Sequence, residues 1–237
     1  MRDEAALAVE ACVGWHDSWL RAFGLRTERD IDAWRLLDQP PQAWYFTAIT
    51  RRPEARPDAL SGARGMVCDA WSRLDLEPFG FERRDSEPWF FRPSSPLGPA
   101  EEPPELDIVR ARTPQEVEEF EAVSVRGFES EGARIEVGTA HPATILDDPG
   151  MTSWIGRVAG RPVAAAMSYR TDGAVGVFGV TTIASNRNRG YGTAMTRVAI
   201  LDDSGLPSVL APSPEGENLY RRLGFRPVGE LRKWWRS

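Results

Sequence analysis

The sequence predicts an α+β fold in which a mixed, mostly antiparallel β-sheet is flanked by helices. Three strand-like runs follow one another between residues 152 and 183, and only short turns separate them. One turn contains Asp172-Gly173, a pair typical of two-residue β-hairpins. Helical patterns lie before and after this meander and none interrupts it, which favours an α+β layer over a doubly wound parallel sheet.

The composition limits the class of protein. The 237 residues suffice for one large domain or two modest ones, and a hydrophobic fraction of 41% with a charged fraction of 27% is typical of a globular protein. The formal net charge of −6 speaks against a general nucleic-acid-binding protein, which would carry a basic face. No apolar run reaches the roughly 20 residues that cross a bilayer. Acids on both sides of the N-terminal apolar stretch make it a poor signal peptide.

The two cysteines, Cys12 and Cys68, are too few for a disulfide framework and lack the spacing of metal ligands. The sequence does not decide whether these two cysteines form a disulfide bond with each other. We therefore expect a protein of the reducing cytoplasm that binds no metal. We expect neither nucleic acid nor membrane as a partner, and a monomer or homodimer.

A proline-rich stretch divides the chain. Five prolines and a glycine between residues 92 and 107 cannot build a packed element, so we predict a linker there. The predicted division is an N-terminal domain at 1–92, a linker at 93–105 and a second domain at 106–237.

The N-terminal domain shows two helical patterns, at residues 8–25 and 27–37, followed by a strand at 43–50 that is rich in aromatic and β-branched residues. A further helix is predicted over residues 59–74 and a short strand over 88–93. This part contains most of the tryptophans, which favours an aromatic core over an aromatic ligand pocket.

The second domain begins with a strand at residues 106–111. Thr113 as N-cap, Pro114 at the first helical position and Glu116 three residues after the cap then predict a helix with a capping box. The three meander strands follow, and a second helix begins at Gly190. A strand at 207–211, a short helix ended by Gly224 and a C-terminal strand complete the pattern.

The turn before the second helix raises the question of function. In "SNRNRGYGTA" the backbone N–H groups of residues 188–194 converge where a helix begins, which is a favourable site for a phosphate group. Gly190 and Gly192 allow the backbone to approach phosphate oxygens, and two arginines add positive charge. No Gly-Lys-Ser/Thr follows, and Met195 replaces the third glycine of a dinucleotide fingerprint. A tight strand-to-helix turn without a ligand is the alternative.

The pattern Arg187-x-x-Gly190-x-Gly192, followed about thirty residues later by "LYRRLGF", resembles two motifs of the GNAT superfamily of acyl-CoA-dependent N-acetyltransferases. The resemblance covers roughly residues 106–237. It implies acetyl-CoA or another acyl-CoA as cosubstrate and an amine as acceptor. It also implies a set of cofactor-binding residues: Val180, Thr181 and Thr182 along the pantetheine, Arg187, Asn188, Arg189, Gly190, Tyr191, Gly192 and Thr193 at the pyrophosphate, and Ser213.

The same resemblance implies Tyr220 as the general acid, because a phenol can protonate a departing thiolate. Packing against its neighbours is the alternative role. The strand runs at 174–182 and 207–211 contain no carboxylate, so the general base expected there is missing. Candidates elsewhere, besides a chain of waters, are Glu129, Glu131, Glu136 and His141. Three aromatic side chains suggest an acceptor pocket without strong charge, or simply core positions: Phe128, Trp154 and Phe178.

Two further hypotheses follow. The N-terminal domain lacks the glycine-rich motif, and its element order is compatible with a degenerate copy of the same fold. The rival to an enzyme is a CoA-binding protein that senses or regulates without transferase activity, and the missing strand carboxylate favours it.

Overall fold

The computed structural model describes residues 3–99 and 103–237, and the chain forms two compact units. The first unit comprises Met1–Arg92 and Val209–Ser237, and the second comprises Pro93–Ser208. Residues 209–237 group with the N-terminal unit because their long strand pairs with two strands there. The division into domains at 1–92 and 106–237 stays a prediction.

The first unit is built of one long helix, a sheet and a short helix. In chain order its elements are α1 (Glu4–Ala22), β1 (Thr27–Arg29), β2 (Ala33–Leu36), β3 (Phe46–Thr50), β4 (Gly65–Asp69) and β5 (Glu82–Arg92). After the second unit come β10 (Ser208–Leu210), α4 (Glu217–Arg222) and β11 (Arg226–Arg236). The strand order is β1-β2-β3-β4-β11-β5-β10, with β3 and β4 parallel. The helix α1 packs against β5 and β11.

Two helices predicted in this unit are wrong. Residues 27–37 form the β1–β2 hairpin, whose turn is set by Asp30: its side chain accepts hydrogen bonds from the backbone of Asp32 and Ala33 at 2.7 and 2.8 Å. Residues 59–74 contain only the end of a 3₁₀ turn and then β4, which pairs with β3 and β11. β2 lies between β1 and β3, and β4 lies between β3 and β11, so that strand pairing outweighed the weak helical periodicity of both segments.

The second unit is a four-stranded antiparallel meander with one helix on each face. Its elements are β6 (Leu106–Arg110), α2 (Pro114–Phe128), β7 (Met151–Val158), β8 (Arg161–Arg170), β9 (Val175–Thr182) and α3 (Tyr191–Ile200). The sheet order is β6-β7-β8-β9, as the sequence predicts. The capping box at the start of α2 is confirmed, with the side chain of Thr113 accepting from the backbone of Glu116.

Close contacts fix α2 and α3 to opposite faces of this meander. A side chain at Gly156 would lie 3.0 Å from the sulfur of Met195 in α3 and 3.2 Å from Ala164. A side chain at Gly127 in α2 would collide with Thr181, whose partner in the ladder is Ala165. Because successive residues of a strand point to opposite faces, the two helices cover different sides. The predicted fold class, a mostly antiparallel mixed sheet flanked by helices, is confirmed.

None of the helices that the structure describes is both long enough and apolar enough to cross a membrane.

Candidate cofactor-binding loop

The strand β9 carries a β-bulge near its end. Phe178 pairs with Met167 and Thr181 pairs with Ala165, so two residues, Gly179 and Val180, lie opposite one on β8. Gly179 adopts a left-handed conformation with φ +57°. A bulge leaves its extra residue outside the ladder and bends the strand. The bulge therefore leaves Val180 out of register with β8, directly before Thr181 and Thr182.

After β9 the chain makes a 3₁₀ turn at Ala184–Asn186 and then a loop with two left-handed residues. Asn188 has φ 62° and Gly190 has φ 81°. The first helical hydrogen bond of α3 runs from the amide of Ala194 to the carbonyl of Gly190 at 3.1 Å. Among the described residues, none accepts a hydrogen bond from the amides of residues 191–193, as expected for the first turn of a helix. Left-handed residues ahead of such a turn form a concave site for anions.

The two arginines of this loop have different surroundings. The guanidinium of Arg187 donates to the carbonyl of Thr182 at 3.1 Å and to the carbonyl of Gly127 in α2 at 3.0 Å. Arg189 is exposed and lies close enough to Glu105 to help lower its pKa. The main cause of that low pKa is a hydrogen bond from the hydroxyl of Tyr191, which donates to Glu105 at 2.7 Å. Both arginines are exposed; Arg187 is bonded to backbone carbonyls, whereas Arg189 lies beside the side chains of Glu105 and Tyr191.

Residues of the proline-rich segment contact the helix α3. Arg197 donates to the carbonyl of Gly98 at 3.0 Å, and Tyr191 holds Glu105. A side chain at Gly190 would meet Pro103 at 3.4 Å and, among the described residues, no other group within 4 Å. The loop is therefore open at Gly190 except on the side of Pro103.

A buried carboxylate fixes the segment that follows α2. Glu121 is fully buried, and its two oxygens accept hydrogen bonds from the amides of Gly138, Ala140 and His141 at 2.7, 2.7 and 2.9 Å. Backbone amides are the donors that a buried carboxylate requires. Glu121 thus anchors residues 138–141 on α2.

The structure argues against two of the four candidate bases. Glu131 accepts a hydrogen bond from the amide of Ser185, and this bond lowers the pKa of its carboxyl, which makes it a weaker base. His141 is buried, with its ring edge-on to Phe120 and its Nε2 3.3 Å from the hydroxyl of Ser124. Burial lowers the pKa of His141 to about 3. Glu129 and Glu136 are exposed on the segment after α2.

The buried His141 should make the protein sensitive to acid. Its folded pKa lies below the unfolded value of 6.5, so protonation favours the unfolded chain and stability falls as the pH drops below 6.5. When the pH falls from 6.5 to 5, we expect the buried His141 to lower the free energy of unfolding by about 2 kcal/mol. Urea unfolding at both pH values should show a smaller loss in His141→Phe than in the wild type. Equal losses would contradict the shift, since the other buried histidine, His16, is present in both proteins.

The three candidate pocket aromatics do not share one environment. Phe128, at the end of α2, is 63% exposed. Trp154 is half-buried and donates from its indole to the hydroxyl of Ser168 at 3.3 Å, on the face covered by α3. Phe178 is half-buried at the start of the bulge, opposite Met167.

Two predicted site residues lie in the first unit. Tyr220, on α4, is half-buried, and its ring is edge-on to Phe225 with centroids 5.9 Å apart. Burial raises the pKa of Tyr220 to about 12. Ser213 is exposed, and its hydroxyl accepts from the amide of Gly216 at 3.3 Å in the turn before α4. Gly224, with φ 89°, ends that helix as predicted.

The sequence analysis missed three residues that shape this region: Gly127, Glu121 and Gly179. A glycine inside the predicted α2 and a glutamate on its apolar face were the available signals for the first two. A glycine inside a strand pattern was the signal for the bulge. Among the described residues, no three side chains of the metal-binding types come together.

No family model matches the sequence, and no curated protein matches it. Solved structures do match. A GCN5-related N-acetyltransferase from Kribbella flavida has a TM-score of 0.69 at 20% identity, over 96% of this chain and 95% of its own. A GCN5-related N-acetyltransferase-like protein from Streptococcus suis has a TM-score of 0.56 at 18% identity, over 98% of this chain and 99% of its own. The chain therefore has the fold of the GCN5-related N-acetyltransferases, the GNAT fold, over nearly its whole length.

Proposed function

We propose that the protein is an N-acyltransferase that moves an acetyl group from acetyl-CoA to an amine acceptor by direct attack. The observation that carries the proposal is the loop at residues 188–193, whose left-handed residues and free first-turn amides form an anion site at the start of α3. The bulge in β9 and the GNAT fold support it.

In this proposal the backbone of residues 180–182 binds the pantetheine arm, because the bulge at Gly179 and Val180 takes the strand out of its regular ladder. The amides from Asn188 to Thr193 bind the pyrophosphate, and Arg189 adds charge from the solvent side. Acyl-CoA supplies the thioester carbonyl that the amine attacks.

Tyr220 is the proposed general acid: its raised pKa keeps the hydroxyl protonated at physiological pH, so that it can donate a hydrogen bond to the departing thiolate. We propose no side chain as base, because the carboxylate of Glu131 is held by Ser185 and His141 is buried. A water chain can take the proton of the amine, since an α-amine with a reference pKa of about 8 is partly neutral at pH 7. Ser213 remains a proposed cofactor contact.

A second candidate is a CoA-binding protein without transferase activity. The observation that favours it is the lack of a carboxylate on β9 and β10. Tight binding of acetyl-CoA with no turnover on any of a panel of amines would decide for this candidate.

The test is a calorimetric titration of acetyl-CoA into the protein and two glycine variants. Gly190→Trp fills the loop, whereas Gly160→Trp places the same side chain in the β7–β8 turn, where none of the described residues comes within 4 Å of an added Cβ. Both glycines are left-handed, with φ 81° and 75°, so the backbone strain is matched. We expect micromolar binding to the wild type and Gly160→Trp, and at least about tenfold weaker binding to Gly190→Trp. No binding to the folded wild type would make the loop a turn without a ligand and would end the proposal.

A further inference from the structure

We infer that Arg187 is a positioning residue that ties the proposed pyrophosphate loop to the end of α2, and that it does not contact the phosphates itself. The inference rests on the proposed function and refines the roles of the two loop arginines. It starts from the two carbonyls that the guanidinium of Arg187 binds, those of Thr182 and Gly127.

The two carbonyls belong to different elements. Thr182 is the last residue of β9, and Gly127 is the next to last residue of α2. Carbonyls at the end of a helix have no helical partner, and a cation there is favoured by the helix dipole. One side chain therefore joins the end of a strand, the end of a helix and the beginning of the loop.

The close approach of α2 to β9 makes this link possible. A Cβ at Gly127 would lie 2.3 Å from the hydroxyl oxygen of Thr181, a distance that only glycine allows. With the helix this near the strand, the carbonyl of Gly127 comes within reach of a side chain from the loop that follows β9.

A second bond holds the same junction. Glu131, four residues beyond Gly127, accepts a hydrogen bond from the amide of Ser185, and its carboxylate lies near enough to Arg187 for the cation to help lower its pKa. Two side chains of opposite charge, Arg187 and Glu131, thus bond the segment after β9 to the end of α2 and the residues that follow it. Two of the five N–H donors of the Arg187 guanidinium are held on these carbonyls, which fixes the direction of the side chain toward the end of α2.

Arg189 has the opposite character. Both arginines are exposed, but among the described residues Arg189 has no bond to a backbone carbonyl, and its neighbours are the side chains of Tyr191 and Glu105. A phosphate bound at the amides of residues 190–193 would find its cation here. The two arginines therefore separate into one that shapes the loop and one that supplies charge.

The experiment compares Arg187→Ala with Arg189→Ala, which remove the same atoms two residues apart. Backbone amide hydrogen exchange is measured without ligand over residues 183–193, and acetyl-CoA binding is titrated at low and high salt. For Arg187→Ala we expect exchange faster by about tenfold and weaker binding, with the salt dependence of the wild type. For Arg189→Ala we expect unchanged exchange and a flatter salt dependence, because a solvent-exposed charge near the anion is lost.

A flattened salt dependence in Arg187→Ala would overturn the inference, because Arg187 would then contribute charge to the ligand. Unchanged exchange in that variant would overturn it as well. If Arg187→Ala does not fold, Arg187→Gln is submitted to the same two measurements. Absence of acetyl-CoA binding to the wild type would refute the proposed function, and the exchange measurement would still decide whether Arg187 holds the loop.

Discussion

Replacing Gly127 by alanine is expected to lower the free energy of unfolding by about 3 kcal/mol, as measured by urea denaturation. The added methyl group would lie 2.3, 2.7 and 3.0 Å from the Oγ1, Cγ2 and Cβ atoms of Thr181. Rotation of the threonine side chain can move the first two atoms but not the third. Relief therefore requires α2 to move away from β9, which would also break the bond between Arg187 and the carbonyl of Gly127.

An opposing effect must be weighed. Alanine is favoured over glycine in a helix interior by about 1 kcal/mol, and this gain would appear if the position were open. The collision outweighs it because the contacts are with a buried strand and not with the end of a flexible side chain. Thr181→Ala removes the two nearer atoms, so it should recover more than half of the loss when combined with Gly127→Ala. A Gly127→Ala variant as stable as the wild type would show that α2 can shift without cost.

The second unit could be predicted from its sequence because its signals are local. The capping box at Thr113 and the hairpin pair at Asp172-Gly173 each act over a few residues, and the structure confirms them. The glycine-rich loop was predicted in the same way, because its conformation depends on the left-handed residues Asn188 and Gly190.

The first unit was predicted less well because its short strands depend on distant partners. β4 pairs with β11, which lies more than 150 residues later, and no pattern within residues 59–74 shows that pairing. A segment with weak periodicity adopts the structure that its neighbours impose. The long N-terminal helix α1, whose apolar pattern extends over five turns, was predicted correctly. That this unit is a degenerate copy of the second stays a prediction, and its mixed sheet with a packed helix is compatible with it.

The roles of individual site residues were the least predictable. The sequence places two arginines beside the glycines. It does not show that one of them, Arg187, donates a hydrogen bond to the carbonyl of Gly127 at the end of α2. That contact depends on the bulge in β9 and on the missing side chain of Gly127, both of which are features of packing between elements. The motif therefore predicts where the loop lies but not the role of each of its side chains.

Replacing Tyr220 by phenylalanine is expected to lower kcat for acetyl transfer by about 10²–10³-fold, with the Kd for acetyl-CoA unchanged. The phenyl ring keeps the edge-on contact with Phe225, so the loss isolates the hydroxyl group. Steady-state kinetics on an acceptor found by screening, together with calorimetric binding, measures both quantities. A rise in Kd together with the fall in kcat would point to a change in folding instead of a lost proton donor.

The raised pKa of Tyr220 decides what its hydroxyl can do. At about 12 it lies well above the value of about 8.5 that is usual for a thiol, so complete proton transfer to the departing thiolate is uphill. In the proposed reaction Tyr220 would therefore stabilise the thiolate mainly by donating a hydrogen bond, and solvent would complete the protonation. Because the donating form persists until the pH approaches 12, we expect no loss of kcat from this residue between pH 7 and about 10. A fall of kcat in that range that is absent from Tyr220→Phe would show that the hydroxyl ionises during catalysis. A variant within a factor of about two of the wild type would leave Tyr220 as a packing residue, because a group that donates to the leaving atom contributes far more.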